Sequence, residues 1–153
     1  MLEALSSERN RNLAAGLVGE PATEGGASVD ERKAFLKEMI AKRGYALDYH
    51  QVLVAEDLPF MRALDGLLEA AYTNPRRLDR KTKELLFTAI LTVLGAGKEH
   101  IQGHIKVAAR EGATKEEVLE VLELCVLPAG VPRFMLGYEA WKECFPVQRV
   151  EVE

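Results

Sequence analysis

The run Asp79-Arg80-Lys81-Thr82-Lys83-Glu84-Leu85-Leu86-Phe87-Thr88-Ala89-Ile90-Leu91-Thr92-Val93-Leu94-Gly95 decides the fold. Aspartate at its head suits a helix start, where a short side-chain oxygen accepts a backbone N–H that has no partner within the helix. Glycine at its end supplies the left-handed residue that closes a last turn. Beyond Glu84 the helix is apolar on nearly every face. A helix of that kind has to be covered all round, and a domain of six or so short helices rarely achieves this alone. The expectation is a central helix completed by contacts between copies of the chain.

Working outward, no proline occurs from Arg76 to Leu127. Gly95 and Gly97 divide the first helix from a second running to Gly112. Thr114 with Glu117 reads as a capping box, in which each side chain serves the other's free backbone N–H. It opens a helix carrying Val118, Leu119, Leu122, Cys125 and Val126 on one side. The stretch Pro128-Ala129-Gly130-Val131-Pro132 breaks the chain before a last helix through Phe134, Tyr138, Trp141 and Phe145, stopped by Pro146. Upstream, Ser28 with Glu31 reads as another capping box. Phe35, Leu36, Met39 and Ile40 then recur at helical spacing up to Gly44. A short helix follows over about 47–55. Another starts at Pro59, with Phe60, Leu64, Leu67, Leu68 and Ala71 as its apolar stripe and Asn74-Pro75 as its stop. There is no period-2 apolar alternation and no Asn-Gly or Asp-Gly hairpin signal, so the fold class is all-α. Residues 1–29 contain Gly16, Gly19, Gly25, Gly26 and Pro21 among small polar residues, and read as a flexible arm with one short amphipathic helix at most. Residues 30–146 form the helical domain and 147–153 a tail.

Composition sets the outer bounds. A chain of 153 residues that is 48% apolar and 29% charged has the material for one packed domain. Its net charge of −4 gives no global field for nucleic acid or anionic membrane, so neither is expected as a partner. The longest uncharged apolar run, Leu85 to Gly97, falls short of the ~20 residues of a membrane span. The N-terminus has no basic region followed by an apolar block, and a cytoplasmic location is expected. Cys125 and Cys144 are too few for a disulfide scaffold.

Chemistry has few places to reside. Two of the three histidines lie four apart, His100 and His104, on one face of the same helix. The stripe Ile101, Ile105 and Ala108 turns His104 inward and leaves His100 near the edge. The pKa of an imidazole is easily moved through neutrality by its surroundings, which suits general acid–base work. Spacing alone reads His104 first as a packed ring bonded to a backbone carbonyl. Glu84 is the last charge before the apolar helix, and reads either as a carboxylate at the entry to a dry region or as a surface charge paired with its neighbours. No metal is expected: His100 is followed by Ile101 where a zinc HExxH motif has glutamate, and no further Cys/His cluster accompanies the pair. Both cysteines read as structural. Arg80, in a local basic cluster, can hold a carboxylate through its planar fork.

The ordered set Leu78 to Leu85, an apolar helix, a glycine break, Glu99 to His104, then Gly112-Ala113-Thr114-Lys115-Glu116-Glu117-Val118 and Ala129-Gly130-Val131-Pro132 resembles the carboxymuconolactone decarboxylase family. The resemblance covers about Leu78 to Lys142. It implies an alkylhydroperoxidase D-like helical fold of six to seven helices, and a homo-oligomer, trimer or hexamer. Peroxidase members of that superfamily carry a CxxC followed, after three residues, by a histidine. Aligned on His104, those cysteine positions fall on Gly97 and His100, neither of which can act as the nucleophilic thiolate. The resemblance thus implies the decarboxylase branch, cofactor-free and acting on a small carboxylated metabolite. His104 and Glu84 would be catalytic, facing one another across a ligand-sized void, and His100 and Arg80 would bind substrate. Two alternatives stand beside it: an alkylhydroperoxidase-type redox protein, disfavoured by the missing CxxC, and a non-catalytic oligomeric binding module.

Overall fold

A computed structural model describes residues 26–152, so the arm expected over 1–29 lies mostly outside the described residues. Seven α-helices and no strand are found among them: α1 (Val29–Arg43), α2 (Asp48–Glu56), α3 (Leu58–Leu68), α4 (Arg80–Leu94), α5 (Lys98–Arg110), α6 (Lys115–Leu124) and α7 (Val126–Cys144). A five-residue π-helical turn, Glu69–Thr73, extends α3.

The local start and stop signals work as physics requires. Asp79 accepts the N–H of Thr82 at 2.7 Å, and Gly95 ends α4 at φ 73°. Thr114 and Glu117 complete their reciprocal cap at 3.1 and 2.7 Å. Ser28 accepts the Glu31 N–H, but the expected return bond is replaced: the Glu31 carboxylate takes Arg62 on α3 at 2.6 Å. A long-range ion pair has captured the side chain that would have closed the cap.

Packing divides into two cores. Met39, Val54, Leu58 and Met61 join α1, α2 and α3. Ile101, Ile105, Val118, Leu122, Ala140 and Trp141 join α5, α6 and α7, with α4 packed against all three. The Pro128–Pro132 break is present as a kink at Gly130, whose φ of 76° and ψ of 169° lie outside the helical region, and helix resumes beyond it.

Two expectations about faces are corrected. In α3 the inward stripe is Leu58, Met61 and Asp65, followed by Tyr72 from the π-turn; Phe60 and Leu67 point outward. Arg43 on α1 holds the Asp65 carboxylate inward at 2.7 Å, beside Leu58, Met61 and the half-buried Leu64 of the expected stripe. In α4 the buried side is polar, formed by Lys83, Glu84, Thr88 and Thr92, while Leu86, Ile90 and Leu94 are 47%, 50% and 69% exposed. Only Leu85 and Leu91 of its leucines pack against the core of the same chain.

Candidate active site

The polar side of α4 explains itself through its partners. The cap at Asp79 fixes the helical phase, which puts Arg80 on the first turn and Glu84 directly beneath it. Glu84 is 0% exposed, and His104 of α5, 2% exposed, meets it. His104 Nδ1 lies 2.7 Å from Glu84 Oε2. The other carboxylate oxygen accepts Arg80 Nε at 2.5 Å and the Tyr72 hydroxyl. Every group on the carboxylate is a donor, the arrangement that suits an anion.

The imidazole is held on all sides. Phe87, one turn below Glu84, stacks on it with centroids 4.9 Å apart and planes 16° apart. Tyr72 and Tyr45 meet its edges at 5.9 and 5.3 Å. Tyr45 Oη lies 3.2 Å from Nε2. With Nδ1–H donated to Glu84, Nε2 is the acceptor of the Tyr45 hydroxyl in the neutral ring. Burial and the Glu84 charge push the Tyr45 phenol up to about 12, and burial together with its bond to Glu84 raises Tyr72 as well. Both remain protonated donors at neutral pH.

The four residues singled out from sequence are therefore placed as follows. Glu84 and His104 are brought into direct contact, and no ligand-sized void separates them. Complementary hydrogen-bonding draws the two side chains together, and the far nitrogen, Nε2, meets the Tyr45 hydroxyl. His100 lies on the same face, 5.4 Å from His104 between ring centroids, half-buried, its pKa lowered by burial and by His104. Arg80 directs Nε to Glu84 and Nη2 to both the Tyr72 hydroxyl and the Arg43 carbonyl, each at 2.9 Å. Its guanidinium carbon also sits 4.1 Å from the centre of the Tyr72 ring.

Sequence reasoning missed Tyr72, Tyr45 and Phe87. Tyr72 arrives on the π-turn, which is locked by Lys83: its Nζ donates to the carbonyls of Tyr72 and Asn74 at 2.8 and 2.9 Å. Single π-turns inserted in helices are frequent at functional sites, since the extra residue re-aims a side chain. Tyr45 follows Gly44, whose φ of 88° turns the chain out of α1. Only Phe87 left a trace, as the aromatic three residues beyond Glu84 on the same helix.

The cysteines stand apart. Cys125 lines an apolar groove beside α4, while Cys144 lines a different cavity beside α5. Burial pushes both thiols up, away from the thiolate form.

Comparison with known proteins adds two findings. The carboxymuconolactone decarboxylase family model matches residues 59–143, a span holding Glu84, His104, Tyr72 and Phe87. An uncharacterized protein of Methanocaldococcus jannaschii is 31% identical over 81 residues, 53% of this chain and 74% of that protein.

Proposed function

The chain belongs to the carboxymuconolactone decarboxylase family, and from that premise we propose that it is a cofactor-free carbon–carbon lyase acting on a small carboxylated lactone or related cyclic metabolite. His104 is its acid–base group and Glu84 the partner that orients it. One observation carries the reading: a buried imidazole bonded to a buried carboxylate at 2.7 Å, with its far nitrogen on a tyrosine hydroxyl.

In the reaction the bond to the carboxylate carbon breaks, carbon dioxide leaves, and the electron pair passes into the conjugated carbonyl as an enolate. The enolate carbon then takes a proton. His104, protonated at Nε2, supplies it, and the negative Glu84 steadies the imidazolium in a region where charges are weakly screened. Water returns the proton afterwards. Arg80, with Nε and Nη2 committed inside the protein, holds Glu84 in place rather than anchoring substrate. His100 is the polar group at the rim.

The test is release of carbon dioxide from a panel of carboxylated lactones. His104→Ala should lower turnover by roughly 10²–10⁴-fold, the usual contribution of a general acid. Retained turnover in that variant overturns the assignment. A redox reading is disfavoured by the raised thiols; rapid peroxide-driven disulfide formation between Cys125 and Cys144 would revive it. The saturation of both His104 ring nitrogens favours a second reading, a non-catalytic assembly module. Under it no lactone of the panel is turned over by the wild-type chain.

We also propose self-association, because α4 presents Leu86, Ile90 and Leu94 outward.

A further inference from the structure

A cavity of about 450 Å³ opens where Tyr45 lies along α5 and the end of α7 closes over it. Its walls are mainly apolar, supplied by Ile105, Ala109 and Phe145, with Tyr45 and Gly103 on the side toward His104. Lys106 and Arg110 complete the lining. We propose that this cavity is the ligand chamber of the chain, that it takes a small carboxylate with an apolar body, and that Tyr45 is the positioning residue through which the chamber reaches His104. The last element rests on the acid–base reading of His104; the first two do not.

Three observations converge on it. The volume is that of a small-molecule site, and it combines apolar walls with few charges, as such sites do. The charges are of one sign. Lys106 and Arg110 stand four apart on α5, an arrangement that is repulsive on an isolated helix, and neither forms an ion pair among the described residues. Arg110 is fixed at the mouth, donating from Nη2 to the Gly44 carbonyl at 2.7 Å. An anion between the two cations relieves the repulsion and accepts their remaining N–H donors.

The third observation is the fit of Tyr45 to α5. A Cβ at Gly103 would come 3.3 Å from Tyr45 Cδ2 and 3.5 Å from Cγ, so the glycine lets the ring lie against the helix backbone. In that position the ring borders the chamber and its hydroxyl lies 3.2 Å from His104 Nε2. The ring thus ties the chamber wall to Nε2, and by its hydroxyl Tyr45 positions the imidazole relative to the chamber.

Benzoate is a suitable probe and benzamide its neutral counterpart, both followed by amide chemical shifts of the full chain. Benzoate should perturb Gly103, Lys106, Arg110 and Phe145 and bind at least tenfold more tightly than benzamide. Ala109→Phe, which fills the chamber, should weaken benzoate at least tenfold. Lys106→Gln with Arg110→Gln, both at exposed positions, should abolish the preference over benzamide and keeps the test valid if the first variant fails to fold. Shifts confined to another region, equal affinity for the two probes, or full benzoate binding by Ala109→Phe would overturn the chamber. Tyr45→Phe should retain benzoate binding within about threefold while moving the His104 ring-nitrogen signals; unmoved signals would overturn the role of Tyr45. Benzoate binding without any lactone turnover sinks the lyase reading alone. Loss of turnover in His104→Ala beside full turnover in Ala109→Phe sinks the chamber alone.

Discussion

Glu84 shows how completely one buried side chain can depend on its neighbours. Its carboxylate receives the Arg80 guanidinium, the Tyr72 hydroxyl and His104, using both oxygens as acceptors. Glu84→Gln puts an NH₂ against at least one of these donors, and loss of a buried charged partner typically costs ~3–5 kcal/mol. Urea denaturation should register a loss in that range, and a variant as stable as wild type would contradict the network. Thr92, two turns further along the same face, makes the opposite case. It is fully buried, and its hydroxyl oxygen has no hydrogen-bond partner among the described residues. Valine keeps the shape and removes the unmet polar atom, whose burial costs ~1–3 kcal/mol. Thr92→Val should therefore be neutral or raise stability by about 1 kcal/mol. A clear loss would mean that the hydroxyl has a partner in the assembled protein.

Among the elements, the π-turn at Glu69–Thr73 depends on a buried lysine. Removing both Lys83 donors leaves the Tyr72 and Asn74 carbonyls without them, so Lys83→Met should cost roughly 2–3 kcal/mol and displace Tyr72 from Glu84. Near-ultraviolet circular dichroism of the tyrosines, with urea midpoints, reads both effects. The joint of α1 and α2 has a different sensitivity. His50 is buried with Nε2 2.9 Å from Arg43 Nη1 and Nδ1 accepting the Leu47 N–H; Asp65 lies on the far side of Arg43, and Tyr45, Tyr49 and His100 are nearby. Burial, then the Arg43 charge, lower its pKa from 6.5 to about 4. The unfolded chain therefore binds the proton first, and stability that is complete above pH 6.5 is lost as pH falls toward 4. His50→Gln should flatten that slope; an unchanged slope would assign the acid sensitivity elsewhere. These elements also mark what could be read from the sequence. Caps and breaks at Ser28, Gly44, Asp79, Gly95, Thr114 and Gly130 are local chemistry, and they emerge in place. The pairing of Glu84 with His104 follows from the family resemblance, which puts a void between them, and not from spacing, which by itself bonds His104 to a backbone carbonyl. Tyr45 and Tyr72 were hidden, since one comes from a loop 59 residues before His104 and the other from a turn with a non-helical count of residues. The α3 stripe was legible only in part: Leu64 packs inward, Phe60 and Leu67 stay outside, and Asp65 is drawn in by an arginine 22 residues upstream.

At the scale of the whole molecule, the exposed apolar side of α4 is the remaining imbalance. Its inner face is committed to the polar network, so Leu86, Ile90 and Leu94 have no place in the core of one chain. Leu124 and Leu127, 60% and 84% exposed, extend the apolar surface, and a groove of about 320 Å³ lined by Leu86, Ala89, Leu124 and Pro128 runs through it. A contiguous apolar surface of this sort is costly in water and is the usual mark of an interface. A second copy of the chain is the cover proposed above, since a two-fold contact sets the same apolar patch against itself. Light scattering should then give a mass above 17.0 kDa at micromolar concentration, and the melting temperature should rise with concentration, as mass action requires. Leu86→Glu with Ile90→Glu places charges on the patch without touching Glu84 or His104. It should yield a monomer that melts at a lower, concentration-independent temperature. If the wild-type chain is already monomeric under these conditions, α4 is exposed for a partner other than itself.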